Sequence, residues 1–196
     1  HRIGNKKEFQ VRRVNSGMLF EELELHESNE GFPVFLAIDN DRDFPYLPCL
    51  HQGDNLKELV HGAVPAREAL ALAGAKEGIG QIIGAAAGTG DVVLVPEIYY
   101  PVYARAAHLS GATVHWVPMR ASNGFLADFE SVPRGVLRRA RMLIVNYPNN
   151  PTGAVATREY YERAVSFAHE HNVILLSDLA YSELTYDGFV APSALE

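Results

Sequence analysis

The sequence predicts an α/β domain, a three-layer sandwich with a mostly parallel sheet. Apolar runs recur from about residue 74 onward, at 92–96, 113–118, 142–145 and 173–178, and segments of helical periodicity separate them. Continuous runs of this kind are typical of parallel strands that helices cover on both faces.

Helices are predicted at 76–88, 101–112 and 157–171. Two of them carry apolar residues at helical spacing: Ile79, Ile82, Ile83 and Ala86 in the first, and Tyr161, Ala164, Val165 and Ala168 in the last. Thr157 is a suitable N-cap for the last helix. In residues 1–73 the pattern is weaker, and it indicates a strand within 32–39 and helical segments on either side of Pro65.

Composition excludes several classes of function. The chain has 196 residues and a formal net charge of −7, which disfavours binding to a nucleic acid backbone. No apolar run reaches 18 residues and the N-terminus is polar, so we expect no membrane span and no signal peptide. A single cysteine, Cys49, forms no internal disulfide. These features predict a cytoplasmic protein.

Unusual residues follow three of the predicted strands. The stretch NYPNNPTG (146–153) follows the run at 142–145, and Pro151 disfavours the α conformation at Asn150, which predicts an extended residue with a projecting amide. An ordinary turn is the alternative, because Asn, Pro and Gly dominate turns.

Asp178 ends a strongly apolar strand, and Tyr181 follows it three residues later. A buried carboxylate costs free energy unless a cation or several donors meet it. A helix cap or a hydrogen-bonded core aspartate is the alternative interpretation.

Tyr99, Tyr100 and Tyr103 follow the strand at 92–96. Tyr103 is predicted to be a core residue, whereas Tyr100 could present its ring to a flat ligand.

Together these residues offer an acid for a buried cation, an amide and a phenol for an oxygen, and a ring for stacking. A protonated aromatic heterocycle with a hydroxyl group, such as pyridoxal phosphate, satisfies all of them. Its phosphate requires donors such as the N–H groups at a helix N-terminus, which Gly74, Ala75 and Lys76 offer.

In their order and separation, the segments GAKEG, VLVPEIYYPVY, NYPNNPTG and DLAYSELTYDG resemble motifs of the class I/II aminotransferases of pyridoxal phosphate fold type I. The resemblance covers residues 70–196 and extends to 34–45. It implies that Asp178 pairs with the pyridine nitrogen, that Asn150 and Tyr181 bind the ring hydroxyl, and that Tyr100 stacks on the ring. It further implies that Gly74, Ala75 and Lys76 hold the phosphate, and that Asn40 lies in the substrate loop.

The implied activity is transamination between an amino acid and a 2-oxo acid by a homodimer. Other fold-type-I chemistries (a C–S lyase, a synthase or an oxidase) and an inactive aminotransferase-like domain are alternatives. The implied organisation is an N-terminal arm and the start of the substrate loop (1–45), a shortened helical connection (46–73) and an incomplete cofactor-binding large domain (74–196). The small domain is largely absent from this sequence.

The sequence departs from the family pattern at the catalytic lysine. Such enzymes carry a lysine that binds the cofactor well after the Asp-x-Ala-Tyr motif, but this sequence has only Lys6, Lys7, Lys57 and Lys76. We therefore assign no catalytic residue. The sequence is either an unusual truncated relative of the family or a joining of pieces of a longer chain, and we expect the second because the best-matching half stops within a domain.

Two other site classes fit poorly. Gly78, Gly80 and Gly84 lack the spacing of a dinucleotide fingerprint and lie within a helical pattern. His169 and His171 are two residues apart and would face different sides of a helix, so no metal site is predicted.

Overall fold

A computed structural model describes residues 34–37, as a strand, and residues 74–194. Five strands form one sheet in the order β1-β5-β4-β2-β3, and every neighbouring pair is parallel. They are β1 Val34–Ala37, β2 Val92–Pro96, β3 Thr113–Val117, β4 Ala140–Asn146 and β5 Ile174–Asp178. All five strands lie where the sequence predicts them.

Four α-helices accompany the sheet in the described residues. They are α1 Ala75–Ala86, α2 Val102–Leu109, α3 Arg134–Leu137 and α4 Arg158–His171, with short 3-10 turns at Ala121–Asn123 and Phe129–Ser131. The three predicted helices are confirmed, and the short α3 is an addition that the sequence pattern did not indicate.

Two hydrophobic cores lie on opposite faces of the sheet. Side chains from α1 and α2 pack with Val93, Met142 and Leu176 on one face. Side chains from α4 pack with Leu94 and Leu143 on the other. Because successive strand residues point to opposite faces, consecutive residues of β2 and β4 enter different cores. The predicted three-layer arrangement is thus confirmed.

Strand β3 differs from the expectation that every apolar run is covered on both faces. It lies at the edge of the sheet, only Val117 within it is buried, and Trp116 is 40% exposed. Trp116 packs against Tyr99, with the ring centroids 4.7 Å apart.

Helix α4 begins where the sequence predicts it. The Thr157 side chain accepts a hydrogen bond from the Tyr160 backbone N–H at 3.4 Å. Of the predicted apolar face, Tyr161, Ala164 and Ala168 are buried and Val165 is half-buried. Tyr160 and Phe167, which the prediction omitted, are buried as well.

Several predictions concern residues outside the described ranges. The helical segments around Pro65, Asn40 and the proposed connection at 46–73 all lie there. Within residues 34–37 and 74–194, no helix is long and apolar enough to cross a membrane.

Replacing Thr157 with alanine should lower the free energy of unfolding by about 1 kcal/mol, because the side-chain acceptor at the start of α4 is lost. Thr157→Ser keeps that oxygen and should behave nearly as the wild type. Urea denaturation of the three proteins measures the difference. Equal stability of the alanine and serine variants would contradict the capping role.

Candidate cofactor site

The ends of three strands place the unusual residues at one edge of the sheet. Strands β2, β4 and β5 are parallel neighbours, so their carboxyl ends lie together, and Asn146 pairs in register with Asp178. Helix α1 precedes β2 and returns along the sheet, which brings its N-terminus to the same edge. Ligands in open parallel sheets bind beyond this edge.

Asp178 is buried, with a relative exposure of 3%, and two donors meet its carboxylate. The Tyr103 hydroxyl donates to Oδ2 at 2.5 Å, and the Ala180 backbone N–H donates to Oδ1 at 3.2 Å. Since the donors contact different oxygens, they fix the plane of the carboxyl group. An ionised carboxylate accepts hydrogen bonds at both oxygens.

Tyr103 occupies the first turn of α2 and is fully buried. Burial, together with the nearby negative charge of Asp178, raises the pKa of its phenol well above the usual value. The phenol therefore keeps its proton at neutral pH and remains a donor. Tyr100, half-buried, lies one turn earlier and contacts the Tyr103 ring edge-on, with centroids 6.0 Å apart.

Asn146 links the ends of β4 and β5. Its side chain is 2% exposed, its Nδ2 donates to the Asp178 carbonyl at 3.0 Å, and its Oδ1 accepts from the Asn150 backbone N–H at 3.0 Å. A single buried amide thus fixes the position of the Asn150 loop relative to Asp178.

Asn150 and Tyr181 contact each other at the more exposed end of the edge. The Asn150 Nδ2 donates to the Tyr181 hydroxyl at 3.2 Å. The peptide bonds that precede Pro148 and Pro151 are cis. Both residues line a cavity of about 610 Å³ whose other walls include Val155, Tyr186 and Phe189.

Helix α1 starts directly after Gly74, whose φ of 115° suits glycine. Ala75 is buried in the same core as Tyr103, and Lys76 is exposed. The geometry of an α-helix leaves the first N–H groups without intrahelical partners, and the helix dipole favours an anion there.

The structure therefore brings four of the sequence-predicted residues into one connected set. Contacts run from Tyr100 through Tyr103 to Asp178, and from the Asp178 carbonyl through Asn146 and Asn150 to Tyr181. Gly74, Ala75 and Lys76 begin α1 at the same edge, while Asn40 lies outside the described residues.

Sequence reasoning missed two members of this set. Tyr103 lies in the core, as predicted, but the sequence did not indicate its hydrogen bond to Asp178. Its position three residues after Tyr100, in the first turn of a predicted helix, was an available signal. Asn146 was considered only as the start of a turn, although a polar residue at the end of a buried strand requires partners.

The chemistry of these donors and acceptors fits pyridoxal phosphate. A buried carboxylate suits a pyridinium N–H, and the second Asn150 Nδ2 hydrogen and the Tyr181 O–H suit an anionic ring oxygen. The Tyr100 ring is adjacent to this set, and the start of α1 offers N–H groups to a phosphate.

Other site classes receive no support from the described residues. Gly78, Gly80 and Gly84 all lie inside α1, where no strand-to-helix turn exists for a dinucleotide. Within the part of the chain that the structure describes, no three His, Cys, Asp or Glu side chains are placed to hold a metal ion.

Replacing Asn146 with leucine, which is close in size, should lower the free energy of unfolding by about 2 kcal/mol, because a buried carbonyl and an N–H group lose their partner. Asn123→Leu is the matched control. Asn123 also donates to a carbonyl and accepts from a backbone N–H. It lies in an exposed turn, where water can bond to these backbone groups once the amide is removed. Equal losses in chemical denaturation would contradict the bridging role of Asn146.

Comparisons with known proteins identify the family of this chain. A family model described as "Aminotransferase class I and II" matches residues 49–195. The LL-diaminopimelate aminotransferase of Desulforudis audaxviator is 48% identical over 132 residues, which cover 67% of this chain and 34% of that protein. The enzyme of the same name from Moorella thermoacetica is 46% identical over 132 residues, which again cover 67% of this chain and 34% of that protein. The chain thus spans about a third of the length of these relatives.

Solved structures give the same result. A probable N-succinyldiaminopimelate aminotransferase from Thermus thermophilus is 41% identical, with a TM-score of 0.65 over 71% of this chain and 37% of that one. BacF from Bacillus subtilis is 38% identical, with a TM-score of 0.59 over 61% of this chain and 32% of its own. The chain therefore belongs to the aminotransferase class I and II family, whose members depend on pyridoxal phosphate.

Proposed function

We propose that the protein containing this chain is an aminotransferase that moves an amino group between an amino acid and a 2-oxo acid. The supporting observation is the connected set that centres on Asp178 and reaches Tyr100 on one side and Tyr181 on the other. When bound, pyridoxal phosphate supplies an electron sink for charge that develops at the substrate α-carbon.

In this function, Asp178 is the anion that keeps the ring nitrogen protonated. The carboxylate lies in a buried environment, where an opposite charge is attracted more strongly than in water. Its two donors, Tyr103 and Ala180, hold it in place. Preorganised groups of this kind need no rearrangement when charge develops.

Asn150 and Tyr181 bind the ring oxygen, and Tyr100 packs against the ring. Asn150 retains one Nδ2 hydrogen beyond the one it donates to Tyr181, and the Tyr181 hydroxyl retains its own hydrogen for donation. Gly74, Ala75 and Lys76 bind the phosphate through backbone N–H groups at the start of α1. No residue of this chain is assigned as the catalytic nucleophile.

The names of the relatives guide the choice of substrate. The relatives from Desulforudis and Moorella are LL-diaminopimelate aminotransferases, and the solved Thermus structure is a probable N-succinyldiaminopimelate aminotransferase. We therefore propose a diaminopimelate-type amino acid as the amino donor, a homodimeric assembly and a cytoplasmic location.

Asp178→Asn tests the proposed function in the full-length protein that contains this chain. The wild type should bind pyridoxal phosphate with a visible absorption band and should transfer an amino group from LL-diaminopimelate to 2-oxoglutarate. Loss of the carboxylate charge should lower kcat/KM roughly hundredfold, equivalent to ~3 kcal/mol for one partner of a buried charge pair.

Asp128→Asn is the control, because Asp128 is an exposed aspartate that precedes the turn at Phe129–Ser131. It should retain wild-type turnover. A wild-type protein that neither binds the cofactor nor transfers the amino group would refute the function. Full activity of Asp178→Asn would refute the role of that residue alone.

Tyr100→Ala should weaken binding of pyridoxal phosphate by on the order of 1 kcal/mol, about fivefold in Kd, because ring contact is lost. Tyr100→Phe keeps the ring and should retain the wild-type affinity. Titration of the apo-protein with the cofactor, followed by absorbance, measures both. An equal weakening in the phenylalanine variant would show that the hydroxyl, rather than the ring, matters.

A further inference from the structure

We propose that Tyr103 is a positioning residue for the cofactor: its phenol holds Asp178 as an oriented carboxylate that suits a cationic ring nitrogen. The inference rests on the proposed function and adds a residue to it. Tyr103 itself lies in the core and acts on the ring nitrogen through Asp178.

The contact of Tyr103 differs from those of the other buried tyrosines in the described part of the chain. Tyr147, Tyr160 and Tyr161 donate to backbone carbonyls of Phe125, Ala127 and Tyr147, respectively. Tyr103 donates instead to a side-chain carboxylate 75 residues away in sequence. It lies in the core on one face of the sheet, whereas the other three lie in the core on the opposite face.

The tyrosine is held rigidly in a donor position. It packs in the core formed by α1, α2 and the sheet, and its ring meets Tyr100 at an interplanar angle of 82°. Its raised pKa, which burial chiefly causes, means that the hydroxyl hydrogen stays in place at neutral pH. The phenol is therefore available as a donor at neutral pH.

A donor on the carboxylate controls where a shared proton resides. A single proton between Asp178 and a pyridine nitrogen can lie on either atom. The Tyr103 and Ala180 donors stabilise the ionised carboxylate, so the proton is left on the nitrogen. Without the phenol, the carboxyl group gains basicity and freedom to rotate, and the proton shifts toward it.

The first experiment replaces Tyr103 with phenylalanine in the full-length protein loaded with pyridoxal phosphate that carries ¹⁵N in its ring. The nitrogen chemical shift should move toward that of an unprotonated pyridine, and the cofactor Kd should rise about tenfold, since a hydrogen bond to a charged group is lost. Tyr160→Phe removes a buried hydroxyl on the opposite face of the sheet and should leave the nitrogen shift unchanged.

A second measurement preserves the size of the side chain and decides the question if Tyr103→Phe does not fold. Position 103 receives 3-fluorotyrosine, and its ¹⁹F signal is compared in protein loaded with pyridoxal phosphate or with its 1-deaza analogue, which has CH in place of the ring nitrogen. Because the two ligands have the same shape, a role in packing alone predicts equal signals. Positioning through Asp178 predicts different ones.

These outcomes separate the two hypotheses. A wild-type protein that does not bind pyridoxal phosphate would overturn the proposed function and this inference together. A wild type that binds it normally, combined with an unshifted nitrogen signal in Tyr103→Phe or with equal ¹⁹F signals, would overturn the role of Tyr103 alone.

Discussion

A carboxylate buried at the end of a central strand is the constraint on which this region of the protein depends. Asp178 cannot be ionised at that position without donors, because water does not reach most of its surface. Helix α2 supplies one donor through Tyr103, and the turn after β5 supplies another through Ala180. The contact thereby fixes the first turn of α2 against β5. Helix α2 leads into β3, and two strands, β2 and β4, lie between β3 and β5 in the sheet.

The parallel sheet explains why residues so far apart in sequence act together. Each crossover returns the chain to the start of the next strand, so every strand delivers its last residue to the same edge. Asn146 and Asp178 end neighbouring strands in register, and a side-chain amide can bridge them. The Oδ1 atom of the Asn146 amide also accepts a hydrogen bond from the Asn150 backbone N–H. This bond fixes the loop after β4 to the end of the strand.

Sequence periodicity predicted the strands and main helices because burial dictates both. The apolar runs of β2, β4 and β5 are buried along their length, and α4 begins at the oxygen of Thr157. Periodicity does not report the order of strands in a sheet, so it could not identify β3 as an exposed edge strand. Local patterns therefore gave the elements but not their neighbours.

For the candidate site, likewise, the sequence indicated several of the residues but not their contacts. Asp178, Asn150 and Tyr181 were identifiable because polar groups at the ends of apolar strands are unusual. The partners of these residues were not, since a contact between Tyr103 and Asp178 depends on the packing of a helix against a strand 75 residues away. Motif resemblance also assigns roles residue by residue, and it gives no information about the buried groups that hold those residues in place.

Exposure increases along the site, and this gradient suits the chemistry of the proposed cofactor. Asp178 is 3% exposed, whereas Tyr181 is 36% exposed and borders the cavity. An ion pair gains strength where water is excluded, so the low-dielectric end is the place to stabilise a pyridinium. At the other end of the site, Asn150 and Tyr181 are more exposed and line the cavity. In the proposed function, the ion pair with the ring nitrogen therefore lies at the buried end, and access for the substrate lies at the exposed end.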